Sequence, residues 1–416
     1  MKIFPRLSSL PHLMRKSLRY WQANGTLALG LKIRQKLAGS GALRIHDQLQ
    51  TLDFYKFVKY KPKGSRQLAD SAERNTINWF IPPFGFGSGG HLNIFRFIQN
   101  LEREGFDCSI IIVGTHQYMS AQIAQKLINE WFMPLNARVY LGEEQAPPAH
   151  ISVATSWVTA YYVRNFRSTH HHCYFVQDFE PYFYAMGSEY IWAEATYRFG
   201  FHCITAGEWL ARKLELDYGL RTAAVGFSYD RNLYAPLPRK DALSRSIFFY
   251  ARPPTQRRAF ELGLLVLDEV IKRHPDVGVV LAGWDISNYA IPFKHINAGV
   301  MKTSDLPDLY SQCDAALVLS LSNLSLLPLE LMACGTPVVS NRAECTEWLL
   351  NDDNAALAEP TVEALADALS DVLSNTARRE HIRAGGFATI ARSDWAAEGR
   401  KMADFFRKLD APTSND

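Results

Sequence analysis

The chain has 416 residues, of which 47% are hydrophobic and 21% are charged, with a formal net charge of +3. This composition excludes a disordered chain, and the length suits two ordinary α/β domains. No apolar run approaches the ~18–20 residues of a membrane helix, and no signal peptide is recognisable. The six cysteines lack C-x-x-C spacing and are expected to be reduced core thiols in a cytoplasmic protein.

The N-terminal segment is strongly basic. Residues 1–46 contain nine lysines and arginines, and no acidic residue precedes Asp47. Because leucines and the aromatic pair Tyr20 and Trp21 are interspersed, a basic helical arm is predicted over residues 1–75. Such an arm can lie on an anionic membrane surface, at roughly 1 kcal/mol per basic residue, here the inner face of the cell membrane. The alternative is a solvated arm that packs on the protein itself.

Short apolar runs alternate with helical periodicity from residue 76 onward, which predicts a parallel sheet covered on both faces. This first Rossmann-like domain is predicted over residues 76–227. Its strands are predicted at residues 76–82, 108–113, 151–154, 173–177 and 202–206.

Residues 228–246 are polar, contain two prolines and have no period, so they are predicted to form a linker. A second Rossmann-like domain follows over residues 247–392, and a final helix and tail occupy residues 393–416. The strands and helices of this half are predicted at residues 247–250, 277–282, 314–320, 336–340, 361–373, 376–390 and 393–408. Two doubly wound α/β domains would face a cleft at the carboxyl ends of their strands.

A glycine-rich loop separates the first strand from its helix, with G-x-G-x-x-G over residues 85–90. A dehydrogenase would need an acidic residue closing the second strand, but residues 113–116 read V-G-T-H. The loop is therefore expected to approach an anion or a sugar, with Gly89 and Gly90 lining the site and His91 in the cleft. A tight turn with a surface histidine is the alternative.

Polar residues follow the strand predicted at 173–177. Gln177, Asp178 and Glu180 lie at its carboxyl end, where two acids are candidates for binding or deprotonating an acceptor hydroxyl. A helix N-cap with a solvated glutamate is the alternative. The aromatic residues over 182–190 could stack on a sugar.

Three adjacent histidines, residues 170–172, precede this cluster. Adjacent residues of an extended segment point to opposite faces, so three of them cannot easily share one ion. No metal site is therefore expected.

Cations mark the strand ends of the second half. Arg252 follows the strand at 247–250, Arg258 opens the next helix, and Lys302 follows the apolar residues 298–301. Three such charges around one cleft can neutralise a diphosphate without Mg²⁺. The alternative for adjacent arginines is a solvated helix start.

Further candidates for nucleotide-sugar binding surround a short helix. Ser322, Asn323 and Ser325 precede it, and its free N–H groups suit a phosphate. Glu330 lies further along, where a carboxylate could bind two ribose hydroxyls. Gly283, directly after the strand at 277–282, completes the set.

These motifs resemble a known family. Residues 328–339 (PLELMACGTPVV) are similar to the nucleotide-sugar signature of the mostly retaining GT-B glycosyltransferases. Residues 250–253 with Arg258 resemble the phosphate-binding step of that family, with Ala251, Arg258 and Ala259 in place of Gly, Lys and Gly. Residues 177–181 (QDFEP) with 155–157 (TSW) resemble bacterial rhamnosyltransferases of surface-glycan assembly. The resemblance covers about residues 75–400.

The resemblance implies a GT-B fold, no cofactor and a dTDP- or UDP-linked sugar donor, with rhamnose as the sugar. It implies a glycan or lipid-linked acceptor and no nucleic-acid partner. The family pairs two glutamates seven residues apart: Glu330 matches the second, whereas Ser322 occupies the first position. A UDP-sugar epimerase of the same architecture and a non-catalytic binding module are the alternatives.

Overall fold

The computed structural model describes residues 51–59, 72–114, 118–240 and 245–410. The basic segment 1–46 lies outside these residues, and so does the membrane contact predicted for it. Two short helices, α1 (Thr51–Phe54) and α2 (Lys56–Lys59), belong to one compact unit, and both sheets belong to a second.

Seven parallel strands form the first sheet, in the spatial order β3-β2-β1-β4-β5-β6-β7. The order reverses between β1 and β4, so a crevice opens beyond their carboxyl ends. The strands are β1 (Thr76–Ile81), β2 (Asp107–Ile112), β3 (Arg138–Leu141), β4 (Ala149–Ala154), β5 (Thr169–Val176), β6 (His202–Ala206) and β7 (Thr222–Val225). The central strands β1 and β4 are buried along almost their whole length, as helices covering both faces require.

Six parallel strands form the second sheet, in the order β10-β9-β8-β11-β12-β13. The order here reverses between β8 and β11. The strands are β8 (Arg245–Tyr250), β9 (Val277–Ala282), β10 (His295–Gly299), β11 (Ala315–Val318), β12 (Val338–Asn341) and β13 (Ala355–Ala358). Two doubly wound sheets in one chain confirm the predicted α/β fold class.

Helices connect the strands in both halves. Those of the first half are α3 (Gly89–Arg103), α4 (Ala121–Trp131), α5 (Trp157–Asn165), α6 (Ser188–Ala195) and α7 (Glu208–Tyr218). Those of the second half are α8 (Phe260–Arg273), α9 (Leu306–Ser311), α10 (Leu327–Ala333), α11 (Glu344–Glu347), α12 (Val362–Ser374), α13 (Thr376–Arg392) and α14 (Trp395–Arg407). Among the described helices, none has both the length and the apolar character needed to cross a membrane.

Four strands escaped the sequence prediction: β3, β7, β10 and β13. They are the outermost strands of the two sheets. Outer strands cover less core, and β10 accordingly has no fully buried residue. The sequences of β3, β7 and β10 include polar residues and so lack the continuous apolar run that identified the inner strands, whereas β13 (AALA) was missed although it is apolar.

The last helix returns to the first half of the chain. Trp395 of α14 packs edge-on against Phe97 of α3 with ring centroids 5.6 Å apart, and the backbone N–H of Gly226 donates to Glu398 at 2.6 Å. A Cβ at Gly399 would lie 2.5 Å from the Cβ of Asn100, so α14 and α3 approach too closely there for any other residue. The six cysteines are buried and free, which confirms the expectation of core thiols.

Candidate functional site

The carboxyl ends of four adjacent strands of the second sheet carry the predicted nucleotide-sugar residues. Arg252 follows β8, Gly283 follows β9, Lys302 follows β10, and the loop of residues 320–326 follows β11. Because β10, β9, β8 and β11 are neighbours in the sheet, these segments share one edge. The reversal of strand order between β8 and β11 places a crevice at the same edge.

Arg252 lies half-buried at the centre of this edge. Among the described contacts, its guanidinium donates one long hydrogen bond, 3.4 Å to the hydroxyl of Tyr250, and lies 5.8 Å from the ring centroid of Trp284. A guanidinium has five N–H donors, so most of them are available to an anion. Lys302, after β10, is exposed to solvent.

The backbone conformation and the lack of space at position 283 explain why this residue is a glycine. Its φ of +112° lies in the region that only glycine adopts readily, and a Cβ there would lie 2.6 Å from the ring of Tyr250. Its N–H donates to the carbonyl of Gly299 at 2.8 Å. A glycine at this position therefore allows the chain to leave β9 beside the end of β10, close to Arg252.

Arg258 was predicted to bind the diphosphate together with Arg252. Its guanidinium makes hydrogen bonds to other parts of the protein. Its guanidinium donates to the hydroxyl of Ser320 at 2.5 Å and to the carbonyl of Asn323 at 3.1 Å. It therefore supports the 320–323 loop instead of lying free in the crevice. Ala259 beside it has a φ of +47°, at a cost of about 1–2 kcal/mol, where the family resemblance expects glycine.

The carboxylate of Asp178 joins the two halves. One oxygen accepts from the N–H groups of Phe179 at 2.8 Å and Asn323 at 2.9 Å. The other accepts from the hydroxyl of Ser322 at 3.0 Å and from Nε of Arg257 at 3.2 Å. Two oxygens offer about four acceptor positions, and four donors fill them. This geometry does not suit the acid–base role predicted for Asp178.

Asn323 completes this connection. Its side-chain amide donates to the carbonyls of Gln177 at 2.9 Å and Ala206 at 2.7 Å, both at strand ends of the first sheet. Asn323 and Ser322 are both buried. Their polar atoms hold the loop after β11 against the first domain, and the donor-binding role predicted for them stays a prediction.

Arg257 was missing from the predicted site. Besides its ion pair with Asp178, its guanidinium lies 3.9 Å from the ring centroid of Phe183. The adjacent Arg257 and Arg258 were visible in the sequence. Nothing in the sequence indicates which of them faces Asp178, because the short 3₁₀ helix Gln256–Arg258 sets their directions.

Glu180 is buried below the strand end. Its carboxylate accepts from the N–H of Trp157 at 2.9 Å, at the first turn of α5, and from the hydroxyl of Tyr174 at 2.5 Å. Burial raises its pKa to about 7, and the two hydrogen bonds oppose that shift. The carboxylate is buried and both of its oxygens accept hydrogen bonds from the protein, and the catalytic role predicted for Glu180 stays a prediction.

His91 does not point its nitrogens into the cleft. Nδ1 lies 2.7 Å from the hydroxyl of Ser88, and Nε2 lies 3.1 Å from the carbonyl of Pro82. Burial lowers the pKa of His91 to about 4, with the Pro82 carbonyl opposing the shift. The ring is therefore neutral near pH 7, with Nε2 as donor and Nδ1 as acceptor. Both nitrogens hold the glycine-rich loop, and the catalytic role predicted for His91 stays a prediction.

The side chain of Gln177 contacts the glycine-rich loop. The Gln177 side chain donates to the carbonyl of Gly90 at 3.1 Å and accepts from Asn93 at 3.2 Å. Gly89 and Gly90 are exposed in the first turn of α3. Their N–H groups are thus presented at the carboxyl end of β1.

Glu330 lies on α10, where Tyr234 and Arg96 of α3 act on its carboxylate. Burial raises its pKa to about 7, while Tyr234 and the charge of Arg96 act in the opposite direction. Arg96, from α3, was not predicted; it also lies 3.7 Å from Asp230. The hydroxyl of Ser325 accepts from the N–H of Leu327 at 3.4 Å, at the start of α10.

A cavity of about 490 Å³ lies beside the Asp178–Arg257 pair. Residues 182–189 line one side and residues 254–257 line the other. The first group includes Tyr182, Phe183 and Tyr184, so aromatic surface and arginine face one another there.

Two family models match the chain. The WsaF N-terminal domain matches residues 89–206, and the WsaF C-terminal domain matches residues 245–370. The O-antigen biosynthesis protein RfbC of Myxococcus xanthus is 32% identical over 371 residues, which is 84% of this chain. The chain spans only 29% of the length of RfbC. A phosphatidyl-myo-inositol mannosyltransferase of Mycobacterium tuberculosis is 25% identical over 45% of this chain and 54% of its own length.

Solved structures share the fold. HepE of Anabaena, crystallised with UDP-glucose, superposes with a TM-score of 0.62 at 17% identity, covering 80% of this chain and 100% of its own. Sucrose-phosphate synthase of Thermosynechococcus elongatus gives a TM-score of 0.62 at 14% identity, covering 80% and 99%. These values establish the two-domain architecture.

Proposed function

The chain belongs to the GT-B glycosyltransferases built from WsaF-type N-terminal and C-terminal domains, and we propose that it transfers a sugar from a nucleotide-diphosphate donor. The acceptor would be a glycan or lipid-linked primer of cell-surface polysaccharide synthesis. The sugar would be rhamnose from dTDP-rhamnose, on the resemblance of residues 177–181 to rhamnosyltransferases.

One observation carries the proposal: Arg252, Lys302 and the 320–326 loop follow neighbouring strands at the reversal point of the second sheet. Open α/β sheets bind ligands in that crevice. Arg252 has donors free for a diphosphate, and Glu330 would contact the ribose. The first turn of α3, with Gly89 and Gly90, would face the sugar.

The chemistry follows from these positions. The bond between the sugar carbon and the diphosphate oxygen breaks, and negative charge grows on the departing diphosphate. Arg252 and Lys302 would stabilise that charge, which is commonly the largest catalytic contribution. The acceptor oxygen bonds to the sugar carbon, and its proton would pass to a diphosphate oxygen, because Asp178, Glu180 and His91 are engaged in protein hydrogen bonds.

The acceptor is proposed to lie in the cavity lined by residues 182–189 and 254–257. Its volume of about 490 Å³ suits one or two sugar rings. Tyr182, Phe183 and Tyr184 offer rings for stacking on a sugar. No divalent metal is required in this scheme, since cationic side chains supply the charge.

The test is a transfer assay with dTDP-rhamnose, UDP-glucose and GDP-mannose, each with and without a synthetic lipid-linked glycan primer. We expect dTDP to be released only with the primer, and the primer to gain the mass of one deoxyhexose. Isomerised donor without primer would instead establish the epimerase. Donor binding with no product from any pair would establish a non-catalytic module.

A further inference from the structure

Three metal-ligating side chains meet at the edge of the first sheet opposite the cleft. Nε2 of His150 lies 3.2 Å from one carboxylate oxygen of Asp410, and Nε2 of His171 lies 2.8 Å from the other. The ligand atoms all lie within 4.8 Å of one another. None of these residues takes part in the proposed transfer.

The three residues come from separate elements. His150 and His171 lie near the amino ends of the neighbouring strands β4 and β5, whereas Asp410 follows α14. Six residues of extended chain separate His171 from Gln177, or about 20 Å. The cluster is therefore remote from the donor crevice.

The adjacent histidines 170–172 do not converge on one ion. His172 turns away, with Nε2 at 3.0 Å from the carbonyl of Phe166. The partners of His171 lie instead on the neighbouring strand β4 and 239 residues further along the chain. No local sequence pattern indicates that contact.

The donor set suits Zn²⁺. Two imidazole nitrogens and one carboxylate oxygen form a common three-ligand set, to which a water adds the fourth position. A cavity of about 240 Å³, lined in part by His150 and Asp410, adjoins the cluster and can admit the ion with its water. Tetrahedral bonds of about 2.0–2.1 Å separate ligand atoms by roughly 3.3 Å, and the three ligand atoms here already lie within 4.8 Å of one another.

The side chain of Arg74 could compete with a metal ion for Asp410. Nε of Arg74 lies 3.8 Å from Asp410, but its side chain is 87% exposed and can swing into solvent. His150 is buried, and the His171 side chain is only 18% exposed. The two imidazoles are thus held in place, whereas Arg74 can move away from Asp410.

We propose that His150, His171 and Asp410 form a Zn²⁺ site that fastens the end of the last helix to the first domain. The ion would close a long loop of chain and hold α14 on the sheet that it crosses back to reach. Because the cleft lies at the other edge of the sheet, the ion would take no part in the proposed transfer.

The test is calorimetric titration of the full chain with Zn²⁺ after EDTA treatment, together with melting temperatures. We expect one Zn²⁺ per chain and a higher melting temperature with the metal. His171→Gln and Asp410→Asn should each weaken binding more than about tenfold and abolish the temperature rise. Co²⁺ in place of Zn²⁺ should give the visible absorption of a tetrahedral site.

The matched control is His381→Gln, which removes a surface histidine paired with Asp353 at 3.3 Å but with no second imidazole beside it. It should bind Zn²⁺ as the parent chain does. Asp410→Asn changes a partly exposed residue near the end of the chain, so folding in EDTA should be unaffected. Absence of Zn²⁺ binding, or equal affinity in both ligand variants and the parent, would overturn the proposal and leave a hydrogen-bonded His–Asp cluster.

Discussion

The strand ends of the two sheets carry charged residues in similar numbers but use them differently. In the second domain, Arg252 makes one long hydrogen bond and Lys302 is exposed, so both have capacity for a ligand. In the first domain, Asp178, Glu180 and His91 have their polar atoms taken by protein groups. A position at a strand end identifies a residue as a candidate for ligand binding. The number of its donors and acceptors already used by the protein then distinguishes a binding residue from a structural one.

The largest effect on the rate is expected at Arg252. Arg252→Ala should lower kcat about 10²- to 10³-fold, because it removes a donor to the charge that grows on the diphosphate. The melting temperature should stay unchanged, since the side chain makes little contact with the protein. Rates from single-turnover assays and thermal melts check this.

Lys272→Ala is the control for that variant. Lys272 is an exposed cation paired with Asp268 on α8, and its removal should leave the rate unchanged. An Arg252→Ala enzyme with near-normal rates would remove Arg252 from the proposed site.

Asp178 should show the opposite behaviour. Asp178→Ala leaves Ser322, the Asn323 N–H and Arg257 without their acceptor, so we expect a loss of about 3 kcal/mol in the free energy of unfolding. Urea unfolding measures it, with Asp268→Ala as the exposed control, for which less than about 1 kcal/mol is expected. Full stability together with a lost rate would instead make Asp178 a base.

Glu180 should give a pH-dependent effect. Its pKa of about 7 in the folded chain exceeds its ordinary value of 4.5, so its stabilising contribution is complete below about pH 4.5 and is lost as the pH rises through 7. Glu180→Gln has no such titration. The stability of the parent relative to this variant should therefore fall by about 2 kcal/mol between about pH 5.5 and 7.5. A difference that is constant over that range would show that the carboxyl is not buried as described.

The smallest effect is expected at His91. His91→Gln removes one or two hydrogen bonds within the glycine-rich loop, which costs about 1 kcal/mol of stability. Because the ring is neutral and engaged, kcat should change less than about tenfold. A loss above 100-fold with an unchanged melting temperature would restore a catalytic role for His91.

The sequence predicted the inner strands well, since β6 and β9 have the predicted bounds. It missed the outer strands β3, β7 and β10, because a strand paired on one side needs less apolar sequence, and it also missed the apolar β13. Inner strands are recognised in the sequence because burial on both faces requires a continuous apolar run. The order of the strands depends on tertiary packing, which a local sequence pattern does not show.

The site was predicted at the level of strand ends and not at the level of contacts. Arg252 and Asp178 both looked like charges facing a cleft. Two of the four donors to Asp178 lie 144 and 145 residues away in the chain, at Ser322 and Asn323. Arg257 and Arg96 were overlooked for the same reason, because their partners belong to the other domain.

Calorimetric titration with dTDP in the presence of EDTA measures donor binding without added metal. We expect one dTDP per chain in the parent and in Lys272→Ala. Arg252→Ala should bind at least about tenfold more weakly, since it loses a charge-assisted bond to the diphosphate. Equal affinity in Arg252→Ala and the parent would contradict the assignment of the donor site to the strand ends of the second sheet.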